Sequence, residues 1–190
     1  MVSRRTLGLA VLALVLAGDA RGAGDGKEVP PAPPPSVALT VLAGRAALVQ
    51  GEAVCTLTRA SGRRSVQGDA YAELGPGGDL ELAWPGSATL RAKGPAALEW
   101  GPTDRVRALR AERLELEVRR GSRTLALPLE WEARLARAAI SVEELATGEL
   151  LIEHRGGEPV ELARGADVRL TLTSGSKLRL TGKAEAPLQR

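Results

Sequence analysis

The sequence predicts an all-β fold, an antiparallel sandwich or β-roll of many short strands with at most one or two short helices. Two observations predict it. After residue 37, apolar residues alternate with polar or small ones, which is the two-residue period of half-buried strands. Clusters of Gly, Pro, Ser and Asp interrupt this alternation roughly every ten residues, a spacing typical of antiparallel meanders.

Residues 1–20 predict an export signal. Arg4 and Arg5 precede an apolar run from Leu7 to Gly18, and small residues follow, with a cut expected after Ala20. This run is shorter than the roughly 20 apolar residues that span a bilayer. We therefore expect a periplasmic or secreted mature chain without a transmembrane span. The general secretion route, the twin-arginine route and retention of the signal as an anchor all stay open.

Residues 21–36 predict a Gly/Pro-rich linker. Prolines fill most of the stretch from Pro30 to Pro35, and proline lacks the amide hydrogen and fixes φ, so this stretch favours an extended spacer. The alternating pattern then assigns residues 37–183 to one β-rich domain, and residues 184–190 to a C-terminal tail. The domain is long enough to bury a core of its own.

Alternation marks the predicted strands along this domain. Its clearest members are Leu80, Leu82, Trp84, Leu114, Leu116, Val118, Leu125, Leu127, Leu129, Trp131, Leu135, Leu150, Ile152, Val168, Leu170, Leu172, Leu178 and Leu180. Two segments, Asp104–Glu117 and Trp131–Leu145, also carry helix-forming residues, so helix and strand both stay open there. For the second segment we favour strand, because the alternation begins at Leu125 and continues through Pro128.

An ungapped self-match adds a hypothesis about internal repetition. Residues 77–94 align with residues 165–182, and they share Gly77/Gly165, Leu82/Leu170 and Arg91/Arg179 among other identities. Each stretch predicts a strand, a tight turn and a strand. One hairpin unit used twice would explain the match.

Composition argues against a nucleic-acid partner. The formal net charge is +3, and the arginines between Arg107 and Arg119 are interleaved with glutamates. Aromatic residues, which stack on bases in single-strand binders, make up only 2% of the chain. A solvated face of mixed charge is therefore expected instead.

The sequence predicts no catalytic residue, no metal site and no cofactor. Cys55 is the only cysteine and His154 the only histidine, so the ligand set of an ordinary zinc site is missing. We expect Cys55 to be a buried inert thiol and His154 to lie on a strand, at a sheet face or edge. A Cys55–His154 nucleophilic pair is the remaining catalytic alternative, since such pairs meet in space.

Trp84, Trp100 and Trp131 are the candidate ligand-binding residues. Tryptophan can stack on a sugar ring, but these are also the only large aromatic groups able to fill the core, because the chain has no Phe and one Tyr. Two carboxylate pairs, Glu130 with Glu132 and Glu143 with Glu144, carry the glycosidase alternative.

Several segments together resemble the FecR-like extracytoplasmic domain. They are Val66–Leu74 (VQGDAYAEL), Gly78–Leu82 (GDLEL), Gly86–Leu90 (GSATL) and Glu149–Gly157 (ELLIEHRGG) continuing to Gly165. The resemblance extends over residues 45–182. It implies a β-rich extracytoplasmic fold.

We therefore expect a non-enzymatic exported module for binding, sensing or assembly at the cell envelope, with an envelope protein or polysaccharide as its partner. Two alternatives stay open. One is an envelope carbohydrate hydrolase that uses strand carboxylates, and the other is an OstA-type lipid-binding β-roll with an apolar groove between its sheets. Ligand identity and oligomeric state are not specified by these patterns.

Overall fold

The computed structural model describes residues 36–181, which form 15 β-strands and two single-turn 3-10 helices, Arg59–Ser61 and Pro128–Glu130. The strands are β1 (Ser36–Ala43), β2 (Arg45–Gln50), β3 (Ala53–Thr58), β4 (Arg64–Gln67), β5 (Ala70–Leu74), β6 (Asp79–Trp84), β7 (Ala88–Trp100), β8 (Arg105–Val118), β9 (Ser122–Ala126), β10 (Trp131–Ala136), β11 (Ala138–Glu144), β12 (Leu150–Gly157), β13 (Val160–Arg164), β14 (Val168–Leu172) and β15 (Lys177–Leu180). The predicted signal at 1–20, residues 21–35 of the predicted linker and the predicted tail at 184–190 lie outside the described residues.

The strands form one open sheet that divides into two wings along the long strands β7 and β8. Wing 1 has the order β4-β1-β6-β7-β8-β11-β12-β15 and uses residues 88–93 of β7 and 113–118 of β8. Wing 2 has the order β3-β2-β5-β7-β8-β9-β10-β13-β14 and uses residues 96–100 and 105–111. Among the described pairings, only β8 with β9 is parallel.

Strand β8 bends so that the wings face each other. A straight strand from residue 105 to residue 118 would be about 43 Å long. However, Thr124 donates a backbone hydrogen bond to Asp104 at 2.9 Å, and the chain between Val118 and Thr124 reaches about 20 Å at most. The two ends of β8 must therefore lie much closer than in a straight strand, which brings wing 1 over wing 2.

Strand β7 leaves wing 1 and enters wing 2 at Gly94 and Pro95, where its register with β8 shifts. Gly94 is required there by a close approach rather than by its φ angle. A Cβ at Gly94 would lie 2.2 Å from the carbonyl oxygen of Gly75. Glycine therefore lets the turn after β5 pack directly against β7.

The core lies between the wings. Buried residues of both wings form one continuous cluster, because alternation sends every second side chain inward. Leu82, Leu90 and Leu116 lie side by side across wing 1, and Leu98 and Leu125 are equally buried in wing 2. Full burial of each such leucine contributes about 1.5–3 kcal/mol.

The predicted all-β fold is confirmed, and both segments with a helix alternative are strands. Asp104–Glu117 falls mostly in β8, and Trp131–Leu145 forms β10 and β11. The predicted strand through Pro128 is wrong, because Pro128–Glu130 is a 3-10 turn that separates β9 from β10. Proline has no amide hydrogen to donate to the ladder, which explains the interruption.

The predicted repeated hairpin is not formed in its second copy. Residues 79–93 do form a hairpin of β6 and β7. In the matching stretch, β14 pairs with β13 in wing 2, whereas β15 pairs with β12 in wing 1. Both strands exist, but the turn between them crosses from one wing to the other.

Candidate functional site

A concave groove with a volume of about 1190 Å³ lies on wing 2. Strand register sets its floor, because one row of directly opposed residues crosses the sheet from β2 to β13 and every member lines the groove. We call it the groove row, and its members are Val49, Tyr71, Glu99, Arg107, Ala126, Glu132 and Ala163. The row belongs to the face opposite the core, since its strand neighbours such as Leu98 and Leu125 are fully buried.

Two ion pairs lie in the groove. Arg105 donates to Glu132 at 2.5 Å, and Arg107 lies 3.5 Å from Glu99. All four side chains are partly exposed, so each pair contributes at most about 1 kcal/mol to folding. They place charged donors and acceptors side by side on the groove floor.

Tyr71 is the aromatic group of the groove row, and its side chain is partly buried. Its hydroxyl donates to Glu73 at 3.3 Å, and Glu73 also binds Arg110. Burial raises the pKa of the Tyr71 phenol, and the adjacent Glu73 carboxylate raises it further, whereas Arg110 opposes the shift. The phenol therefore stays a neutral hydrogen-bonding group over the physiological pH range.

The turn Pro128–Glu130 forms one wall of the groove. Leu129 and Glu130 have φ angles of 62° and 63°, in the left-handed region that residues with a Cβ rarely adopt. A bond of 2.7 Å from the Leu127 amide to the Trp131 carbonyl closes the turn. Such strained backbone costs about 1–3 kcal/mol per residue and recurs at binding sites.

Asp69 and Glu130 lie at opposite sides of the groove, and neither has an ion pair within residues 36–181. The Asp69 carboxylate lies against the backbone of Gly101, where an added Cβ would be 2.3 Å from its oxygen. Arg105 and Arg107 balance the charges of Glu132 and Glu99. The unpaired Asp69 and Glu130 therefore make the groove net acidic.

The structure places the predicted ligand-binding tryptophans in the core. The exposed fractions of Trp84, Trp100 and Trp131 are 7%, 3% and 6%, and all three belong to the core cluster. Trp100 and Trp131 also contribute to the groove lining, and their indole N–H groups have no acceptor in the described part of the chain. Trp84 lies elsewhere, under the guanidinium of Arg123 at 5.0 Å.

The predicted burial of Cys55 is wrong, whereas the predicted position of His154 on a strand is confirmed. Cys55 is exposed because it lies on β3, an edge strand with only one neighbour. His154 is fully buried on β12, where its Nε2 lies 3.1 Å from the carbonyl oxygen of Gly156. The two residues are on different wings, so the structure does not bring the alternative nucleophilic pair together.

The carboxylate pairs of the hydrolase alternative are placed differently from each other. Glu130 and Glu132 both line the groove, whereas Glu143 and Glu144 are exposed at the end of β11 in wing 1. Within residues 36–181, no cluster of His, Cys, Asp and Glu could hold a metal ion.

A smaller recess of about 260 Å³ lies on wing 1 beside Arg91.

Sequence reasoning missed most of the groove row, including Tyr71, Glu99 and Arg107. Each of them occupies a polar position in an alternating strand. Ordinary solvent-facing residues occupy the same positions, so the sequence does not distinguish them. Only the register of strands far apart in sequence brings them into one row.

Comparison with protein-family models, with curated proteins and with solved structures finds no match to this chain. Among the described residues, no helix combines the length and apolarity that a bilayer crossing requires.

Proposed function

We propose that this chain is an exported, non-enzymatic binding module of the cell envelope that resembles the FecR-like domain and recognises its ligand in the groove of wing 2. The ligand class that fits best is a polysaccharide. The main support for this proposal is the groove row, in which hydrogen-bonding side chains lie on adjacent strands across a concave face.

The chemistry of the exposed groups supports a hydroxyl-rich ligand. Paired glutamate and arginine side chains offer acceptors and donors side by side, and a sugar hydroxyl both donates and accepts. Ala126 and Ala163 have short side chains, which leave room above the floor for a bulky chain.

The pairing of Glu99 and Glu132 favours binding over hydrolysis at these two carboxylates. A glycosidase needs one carboxyl group free to protonate the leaving oxygen and a second to act as base or nucleophile. Glu132 is instead held by Arg105 at 2.5 Å, and Glu99 faces Arg107. Asp69 and Glu130 have no ion pair within residues 36–181, so the hydrolase alternative rests on these two carboxylates. The charged floor also argues against a lipid-carrying role, which requires an apolar groove.

A polysaccharide-binding assay tests the proposal. The purified protein is applied to an array of bacterial surface polysaccharides and peptidoglycan fragments, and the dissociation constant of the best ligand is measured by calorimetry. We expect Arg107→Ala and Glu132→Gln to weaken binding about tenfold, since each removes a charge-assisted hydrogen bond of about 1.5–3 kcal/mol.

Arg119→Ala is the matched control, because Arg119 pairs with Glu117 outside the groove. It should bind like the unmodified protein, and circular dichroism should show the same β spectrum for all variants. Binding that is equally strong in the groove variants would contradict the site. Capture of an envelope protein, without binding to any polysaccharide, would contradict the ligand class. Release of reducing sugar, abolished by Glu130→Gln, would establish the hydrolase instead.

A further inference from the structure

Strand β3 is an exposed edge of wing 2. It pairs with β2 along its whole length without a register shift, and no described strand pairs with its other side. Residues 53–56 are exposed on both faces of the strand, and Val54 has an exposed fraction of 69%. The outer side of β3 therefore presents a row of backbone groups that are free to pair with a further strand.

The usual protections of an edge strand are absent from β3. Native edge strands carry charges, prolines or bulges, or they are very short. β3 has six residues, all of them uncharged, and three of them are the β-branched Val54, Thr56 and Thr58. The other three edges differ, since β4, β14 and β15 carry Arg64, Arg169 and Lys177 respectively.

The sequence around β3 is complementary to itself in the antiparallel direction. About a two-fold axis, a regular antiparallel pair places one residue opposite its own copy. With Cys55 at that position, Ala53 lies opposite Leu57 of the second copy and Val54 opposite Thr56. All of these residues are inside the strand. The same axis places Glu52 opposite Thr58 of the second copy.

We propose that two copies of this chain associate through an antiparallel β3–β3 pair centred on Cys55. The pair joins the two wing 2 sheets into one continuous sheet and covers both exposed edges. Directly opposed residues of an antiparallel pair have Cα atoms about 4.5–5.5 Å apart, which is within the range of a disulfide. This inference does not depend on the ligand proposed for the groove.

Sedimentation of the purified full chain tests the association. The unmodified protein should sediment with twice the monomer mass of 19.9 kDa. Val54→Lys adds a charge to the exposed edge without changing the core, so it should halve the mass. Val168→Lys is the matched control on β14, where Val168 is 37% exposed, and it should stay dimeric. A monomeric unmodified protein, or a Val54→Lys variant that is still dimeric, would overturn the proposal.

Disulfide trapping tests the register. Diamide accepts the two electrons and two protons that two thiols release on forming a disulfide. It should therefore link two unmodified chains through Cys55, and Cys55→Ser should abolish the link. In the Cys55→Ser background, Val54→Cys chains and Thr56→Cys chains are mixed in equal amounts. Only the mixed dimer should crosslink, because position 54 lies opposite position 56 of the other copy.

Two results would contradict this register. One is efficient crosslinking within the Val54→Cys protein alone, which would indicate an axis through residue 54. The other is a series of oligomers larger than a dimer in the sedimentation experiment, which would indicate that β3 pairs with β14, the opposite edge of wing 2, in the next copy.

Discussion

Tyr71 is the residue whose protonation reports on the groove most directly, because it is the only tyrosine in the chain. Burial, the charge of Glu73 and the hydrogen bond to Glu73 all disfavour the phenolate. A folded pKa above the unfolded one means that the contribution of Tyr71 to stability is complete below the unfolded pKa. It is lost as the pH rises through the folded pKa.

A spectroscopic titration checks this prediction. The ultraviolet absorbance of the phenolate should give a midpoint above the ordinary value of 10.0 in the folded protein. Glu73→Gln should lower that midpoint, because it removes the negative charge next to the hydroxyl. A midpoint at or below the ordinary value, or no response to Glu73→Gln, would show that Tyr71 is not held as described.

Arg123 explains why Trp84 is structural. The guanidinium covers the Trp84 ring at 5.0 Å, donates to Ser87 at 3.2 Å and pairs with Asp104. We expect Arg123→Ala to lower the free energy of unfolding by about 1–3 kcal/mol, since it removes a desolvated cation–π contact and two hydrogen bonds. Urea denaturation measures the change. Arg119→Ala should leave the midpoint unchanged, and an equal loss in both variants would contradict this role.

The burial of single residues was predicted well where it followed from the local alternation. It was predicted poorly where it depended on whether a neighbouring strand covers the residue. Leu80 and Leu82 alternate with polar residues and are fully buried, as expected. Cys55 follows the same parity as the buried Leu57, yet it is exposed, because an edge strand lacks cover on one side. Sequence alone does not show which strand is the edge.

At the scale of the element, β8 holds the fold together, because it belongs to both wings. Leu116 on β8 is 1% exposed in the core, whereas Leu109 on the same strand is 39% exposed. Leu116→Ala should destabilise the protein by about 2–5 kcal/mol through a cavity and lost burial. Leu109→Ala should cost less than about 0.5 kcal/mol.

Denaturation of these two variants in urea compares them directly. Because the strand and the substitution type are the same, the difference isolates burial from strand propensity. Similar losses for both variants would contradict the assignment of Leu116 to the shared core.

The existence of most strands was predictable, but their partners were not. Alternation identified the segments of β14 and β15, and the tight turn between them predicted a hairpin. Each strand pairs instead with an element of a different wing. Partner choice depends on how β8 bends and on the burial available at each edge, which no local pattern specifies.

At the scale of the whole molecule, the site arises from long-range register. The groove row joins strands from β2 to β13, and its members are separated by more than one hundred positions in sequence, from Val49 to Ala163. The fold class could therefore be predicted from the sequence, whereas the groove could not. The two tryptophans that reach it were singled out because of their residue type, but the structure uses them mainly as core.

Chemical-shift mapping by NMR with the best-binding polysaccharide shows directly whether wing 2 is the binding surface. We expect the backbone signals of four residues to change on titration, because these residues form the groove floor: Tyr71, Glu99, Arg107 and Glu132. Wing 1 offers a comparable charged row in Glu81, Arg91 and Glu115. Changes confined to that row, or the absence of changes in the groove row at saturating ligand, would contradict the proposal that wing 2 is the binding surface.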